Sequence, residues 1–377
     1  MRFSGFDDEW KSYKLGEIGL FKNGVNKSKE DFGSGYPFIN LEDIFDKDYL
    51  LNKEYSLVKV SKKELKEYNL NKGDVLFVRS SVKPSGVGLT TVINENLINT
   101  VFSGFIIRFR ENKQILDLNF KRYCFNITSF RNSLMSKSTT SANTNINQQS
   151  LSKLTINAPC IDEQKKIASF LEIIDKKIEL LNKKSEYYIK FKKYLMQQIF
   201  TQKLRFDYDM IKLKDICKIN KGKQLNKDAM IENGKYYVLN GGKEPSGYTN
   251  EWNTSENTIT ISEGGNSCGY VNFNTEKFWS GGHCYYLSNL HENVDDYYLY
   301  SYLKFKEEFI MRLRVGSGLP NIQKGDIENI KIQIVSKDNQ NKISNLLLSA
   351  DKKINSIQIQ KENFENFKKG LLQQMFV

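Results

Sequence analysis

DEQKKIASFLEIIDKKIELLNKKSEYYIKFKKYLMQQIF, residues 162–200, returns without a gap as DNQNKISNLLLSADKKINSIQIQKENFENFKKGLLQQMF, residues 338–376. The offset is 176, the difference between Asp175 and Asp351, and 17 of the 39 aligned positions are identical. The shared residues include Gln164/Gln340, Ile167/Ile343, Leu171/Leu347 and Phe191/Phe367, and both copies end on Leu-x-Gln-Gln-x-Phe. A period this long exceeds the unit of any common solenoid. It marks a duplicated half-protein, so the fold is expected to carry internal pseudo-two-fold symmetry.

Each copy reads as one long helix. Leu171, Ile174, Ile178, Leu181, Ser185, Tyr188, Lys192, Leu195 and Ile199 alternate spacings of three and four, a heptad stripe. Leu347, Ala350, Ile354, Ile357, Lys361, Phe364, Lys368, Leu371 and Met375 hold the matching places. Ser185/Lys361 and Lys192/Lys368 interrupt the stripe, and Phe191/Phe367 are expected to take it over as it drifts. Asp162 and Asp338 read as N-caps. A 39-residue helix is about 58 Å long at about 1.5 Å per residue. Two stripes in one register are expected to pack on each other. Because the second helix begins where the chain returns from a second head, it must run antiparallel to the first.

The expected fold is therefore α+β: two mixed α/β heads at opposite ends of an antiparallel two-helix coiled coil. The segments are a first head over 1–160, a central long helix over 161–204, a second head over 205–336 and a C-terminal long helix over 337–377. In the heads, Asp74-Val75-Leu76-Phe77-Val78 and Thr258-Ile259-Thr260-Ile261 read as buried strands, each followed by a Gly/Ser-rich turn. Lys14-Leu15-Gly16-Glu17-Ile18 and Lys212-Leu213-Lys214-Asp215-Ile216 open the two heads. Thr144-Asn145-Ile146 and Pro320-Asn321-Ile322 lead to their closing strands.

Composition narrows the function. The 56 Lys and Arg against 44 Asp and Glu give a net charge of +12, which favours an anionic partner, nucleic acid first. An AT-rich genome also inflates Lys, Asn and Ile. The five cysteines are scattered and form no C-x-x-C pair, which suits reduced thiols in a cytosolic protein. With two histidines in the chain a zinc site is not expected. No apolar run reaches the length of a membrane span. There is no G-x-x-x-x-G-K-[ST] loop for ATP and no Asn/Asp-Pro-Pro-aromatic methyltransferase motif. Glu163-Gln164-Lys165 has nuclease-like spacing but reads as a capping arrangement in the first turn of a helix.

The order of these elements resembles the specificity subunit of Type I restriction-modification systems. Ala158-Pro159-Cys160-Ile161-Asp162-Glu163-Gln164-Lys165-Lys166-Ile167 is similar to the family's proline–leucine–x–glutamate–glutamine start to its first long helix. Gly316-Ser317-Gly318-Leu319-Pro320-Asn321-Ile322 resembles the turn that closes a recognition domain, and Gly73 through Ser80 and Phe278-Trp279 are also typical. The second helix start lacks the Pro and Glu, and the first closing turn lacks the Gly and Pro. The resemblance implies a non-catalytic, DNA-binding role in host defence. The two heads would be target-recognition domains for a split, asymmetric site, and the helices would space them and dock two methylation subunits, which restriction subunits then join. No cofactor is implied on this chain; S-adenosylmethionine, ATP and Mg would sit on the partners.

Base readout needs donors and acceptors on exposed turns. The candidates in the first head are Arg79, Ser80, Ser81 and Lys83 after the buried strand, with Thr139, Thr140, Asn143 and Asn145 in the closing turn. In the second head they are Lys243, Asn266, Ser267, Ser317 and Asn321. The duplicated lysines Lys176, Lys177, Lys192, Lys193, Lys352, Lys353, Lys368 and Lys369 are candidates for matched contacts to two copies of a partner, or else plain solvated helix faces. Two other classes compete: a structural protein with sugar- or protein-binding heads, and a self-sufficient enzyme.

Overall fold

The repeat folds as two long helices, Ile161–Phe200 and Lys337–Met375, in a computed structural model that describes residues 1–45, 47–140, 143–316, 318 and 320–376. The chain divides into two compact units, Met1–Leu180 with Lys361–Val377, and Leu181–Gln360. Each unit thus holds one head and part of each helix.

Within the first unit, the start of the first helix lies against the end of the second. Asp175 meets Lys368, and the Lys177 ammonium stands 5.8 Å from the Phe364 ring centre. Partner numbers fall as helix numbers rise, so the pairing is antiparallel. Within the second unit, Lys192 meets Asp351 while Met196, Ile199 and Phe200 share a core with Ile343 and Leu347. That pairing is antiparallel too. Every position of the expected stripe is buried or half-buried. Phe191 and Phe367 do not take it over; they are exposed, at 38% and 51%. The stripe does not drift because Lys192 and Lys368 remain in it, each with its charge matched by an aspartate on the facing helix.

The helix starts correct a second expectation. Asp162 and Asp338 lie inside the first turn, and the backbone carbonyls of Cys160 and Ser336 accept the first helical bonds, from Gln164 and Gln340. An aspartate there still favours the positive end of the helix. Glu163 is no cap either: it is buried and takes a two-pronged contact from Arg2, at 2.9 and 2.7 Å. The glutamines fix the joints. Gln164 donates to the carbonyls of Ile115 and Pro159 and accepts from the Asp117 amide. Gln340 donates to the carbonyls of Asn293 and Val335 and accepts from the Asp295 amide. The second joint makes the same three bonds without the Pro or Glu of the first.

The final phenylalanine of each Leu-x-Gln-Gln-x-Phe run enters a head core. Phe376 stacks on Phe120 at 5.2 Å and meets Trp10 at 5.9 Å in the first unit. Phe200 packs against Tyr298 and Tyr302 in the second. Burying such a ring contributes about 1.5–3 kcal/mol.

The heads share a plan. The first has a five-stranded sheet in the order Gly19–Asn23, Ile106–Glu111, Val75–Val78, Thr90–Ile93, Tyr49–Leu50. The second has four strands in the matching order Lys218–Lys221, Cys284–Ser288, Thr258–Ser262, Val271–Asn274. The strands expected over 74–78 and 258–261 form as Val75–Val78 and Thr258–Ser262, inside both sheets and almost wholly buried. Asp74 precedes its strand as a buried residue gripped by Arg110 through two 2.7 Å bonds. Each head also has a parallel pair, Phe38 opposite Val101 and Val238 opposite Trp279. An antiparallel pair leads into each long helix: Lys11–Lys14 with Thr155–Ala158, and Tyr208–Lys212 with Lys331–Val335.

Candidate nucleic-acid interface

The chain beyond each central strand is tied to the closing turn of its head. In the first unit Ser80–Ser81 pairs with Thr144–Asn145, which pairs in turn with Thr139–Thr140, making a small three-stranded sheet. Thr139–Thr140 is exposed, Ser80–Ser81 half-buried and Thr144 buried, and Ser and Thr hydroxyls suit cross-strand hydrogen bonding in such short strands. Six candidates from distant parts of the sequence thereby meet: Ser80, Ser81, Thr139, Thr140, Asn143 and Asn145. Asn145 donates to the Asn143 carbonyl at 2.9 Å. A groove of about 600 Å³ opens beside this sheet, lined by Ser80, Ser81, Lys83, Asn143, Phe45 and Phe105 among others. Lys83 is exposed, and Arg79 is half-buried with one guanidinium nitrogen 3.1 Å from the Gly104 carbonyl.

The second unit repeats the arrangement in reduced form. Asn321 bridges Val315 on one side and Gly264 on the other. Val315 and Asn321 lie 176 positions beyond Thr139 and Asn145, which pair in the first unit, so the closing turn has kept its register. Asn266 and Ser267 sit in the 3-10 turn Gly265–Ser267, which starts with Gly265 at φ +72. Gly241, at φ +82, turns the chain toward Lys243, whose ammonium lies 5.4 Å from the Tyr270 ring centre. Ser317 lies outside the described residues.

Sequence reasoning missed a charged cluster on this same edge. Glu263, the residue after the central strand, is 4% exposed. Its Oε1 accepts from Lys221 Nζ at 2.6 Å and from the Tyr285 hydroxyl at 3.0 Å, and His283 Nδ1 stands 3.5 Å from Oε2. Burial, and then the adjacent Glu263 carboxylate, push the Tyr285 hydroxyl up to about 12. In the first unit, Val82 and Phe105 also went unread; both are large, exposed and line the groove, at 81% and 57%. Counting residues from the end of each central strand would have found Glu263, because it occupies the place Arg79 holds in the first head.

The helix lysines divide into two groups. Lys176, Lys177, Lys193, Lys352, Lys353 and Lys369 are exposed. Lys192 and Lys368 are half-buried in the seam and pair within their units, each 2.6 Å from an aspartate. Tyr297 donates to Asp351, and Tyr123 to Asp175 at 2.8 Å. Burial, then Asp175, raise the Tyr123 hydroxyl far above its ordinary range, so it stays a donor.

Nothing among the described residues resembles a redox or metal centre. No group of three or more His, Cys, Asp or Glu could hold an ion. All five cysteines are free, with four buried and Cys160 exposed. Burial lifts the Cys217 thiol to about 12 and Cys284 to about 11, which keeps both protonated. No helix among the described residues is long and apolar enough to cross a membrane.

Comparison with known proteins agrees with this duplicated plan. The family model described as Type I restriction modification DNA specificity domain matches twice, at residues 7–187 and 206–364. A putative type I restriction enzyme MjaX specificity subunit of Methanocaldococcus jannaschii is 24% identical over 97% of this chain and 92% of its own length. A putative type I specificity subunit of Mycoplasma pneumoniae is 36% identical over 38% of each chain. In fold, the crystal structure of a Type I restriction-modification S subunit from M. genitalium matches with TM-score 0.67 and 19% identity, covering 100% of this chain and 97% of that one. A chain from a type I restriction-modification system studied for complex assembly matches with TM-score 0.62 and 14% identity over 99% of both chains. The chain belongs to the Type I restriction-modification DNA specificity family. It carries two copies of the target-recognition domain, one in each compact unit, each mounted on the paired long helices.

Proposed function

We propose that this chain directs a Type I complex to a split, asymmetric DNA target, one head reading each half-site. The observation that carries the reading is the repeated polar edge: Ser80–Ser81, Thr144–Asn145 and Thr139–Thr140 in one head, Gly264, Asn321 and Val315 in the other. The two edges share register and differ in side chains, as readers of two different half-sites should. Hydroxyl and amide groups suit hydrogen bonding to base edges and phosphates. The net charge of +12 supplies attraction to the DNA backbone.

The six exposed lysines are the surface on which two methylation subunits would seat in matched fashion, with restriction subunits joining that core. Lys192 and Lys368 would instead hold the seam. This chain would supply recognition and no catalysis; S-adenosylmethionine, ATP and Mg would be bound by the partners. The test is the methylome of the host with and without this gene. A bipartite adenine-methylation motif should vanish on deletion, and an unchanged methylome would sink the reading.

A further inference from the structure

The two heads carry opposite charges at one equivalent position. Arg79 and Glu263 each follow the central strand, and their backbones are held identically. The Arg79 amide donates to the Phe105 carbonyl at 2.9 Å, and the Glu263 amide to the His283 carbonyl at 3.0 Å. The Arg79 carbonyl accepts from Ile146 at 3.0 Å, and the Glu263 carbonyl from Ile322 at 2.9 Å. Ile146 and Ile322 stand 176 positions apart. The edge that offers a guanidinium in one unit therefore offers a carboxylate in the other.

That carboxylate is incompletely satisfied. Lys221 and Tyr285 hold Oε1, but Oε2 is buried with no hydrogen-bond partner. Asn321, bridged to the neighbouring Gly264, has a second buried acceptor without a partner, its Oδ1. A buried acceptor left unpaired costs about 1–3 kcal/mol, a cost that an incoming hydrogen-bond donor would relieve. His283 covers Oε2 from 3.5 Å without bonding it, and its side chain is 65% exposed. A rotamer change of an exposed side chain is fast and would carry the imidazole away from Oε2.

We infer that Glu263 is a specificity-determining residue of the second head, accepting a hydrogen bond from the exocyclic amino group of a cytosine or adenine in the major groove. The inference rests on the reading of the heads as DNA readers and deepens it. Carboxylates accept from cytosine N4, whereas arginine donates to guanine O6 and N7. Arg79 is suited to guanine at the corresponding place of the first half-site. Glu263 rejects guanine there, because a carboxylate facing O6 and N7 sets acceptor against acceptor.

The test is selection from random-sequence duplexes by the full-length chain, in the complex it forms in its host. Wild type should fix an amino-bearing base at one position of the second half-site. Glu263→Arg should reduce that preference about tenfold or convert it to guanine, leaving the first half-site intact as the control for folding. Glu263→Gln separates the two bases: a cytosine preference shifts toward adenine, whereas an adenine preference persists, because glutamine pairs with adenine. A second half-site unchanged in Glu263→Arg overturns the inference and leaves the reading of the heads standing. If Glu263→Arg does not fold, a cytosine preference unchanged in Glu263→Gln overturns it equally. Wild-type protein that selects no sequence overturns both.

Discussion

Lys368 places its ammonium 2.6 Å from Asp175, and Lys192 places its own 2.6 Å from Asp351. The residues of the two pairs are related by the same 176-position offset, with the helices exchanging roles: the first helix supplies the acid in one unit and the base in the other. A heptad stripe of apolar residues tolerates neighbouring registers. A charged pair inside it penalises every register that separates the charges, the best-attested use of a polar group in a helical seam.

Exchanging charges within one pair tests this role. Lys192→Asp or Asp351→Lys alone should cost about 1–3 kcal/mol in urea unfolding, since each leaves like charges half-buried. The double exchange should recover most of the loss, a coupling that a double-mutant cycle reads directly. Additive losses would show that the pair does not hold the register.

Gln340 offers a sharper stability test. It is 1% exposed and closes three bonds between the head and the second long helix. Gln340→Ala leaves the Val335 and Asn293 carbonyls and the Asp295 amide without that partner, and should cost about 3 kcal/mol. Gln164→Ala should cost the same in the first unit. A thermal midpoint unmoved by either substitution would contradict the assignment.

Alkaline pH should loosen the second head. Burial raises Tyr237 and Tyr285 from the ordinary value near 10 to about 12, aided by Glu276 for the first and by Glu263 for the second. A hydroxyl whose folded value is raised contributes stability that is fully present below pH about 10 and is lost as pH rises through about 12. Unfolding followed from pH 9 to 12.5 should show this fall, with delayed tyrosinate absorbance. Tyr285→Phe should flatten the profile by one group; an unaltered profile would refute the contribution.

On the proposed reading of two half-sites, helix length should set the unread gap between them. One heptad inserted into both helices, at the level of Ser185 and Lys361, adds about 10 Å of helix. That is about three base pairs of duplex at 3.4 Å each. Methylome sequencing should find the same half-sites with a longer gap; changed half-site letters would show that the helices take part in reading.

The helices were legible because period and repeat reinforce each other, and each expected seam position is at least half-buried. The N-caps were misread because aspartate suits both the cap and the first turn, and only backbone geometry separates the two. Phe191 and Phe367 lie off the seam because a facing aspartate neutralises the lysine next to each, a pairing that the helical period alone does not reveal. Six first-head candidates, Ser80 through Asn145, come together because the closing turn pairs with the strand extension. Glu263 is not legible as a candidate from its own stretch of sequence, because a carboxylate in a Gly/Ser-rich turn of a basic protein carries no pattern that marks it out.

The joints made by Gln164 and Gln340 use backbone carbonyls and amides for all their contacts within the heads. Among the described residues, neither glutamine hydrogen-bonds to a residue of the polar edges. Substitution at an edge therefore leaves its fastening in place, and on the proposed reading of the heads new sequence preferences can arise piecemeal without rebuilding the frame that carries them.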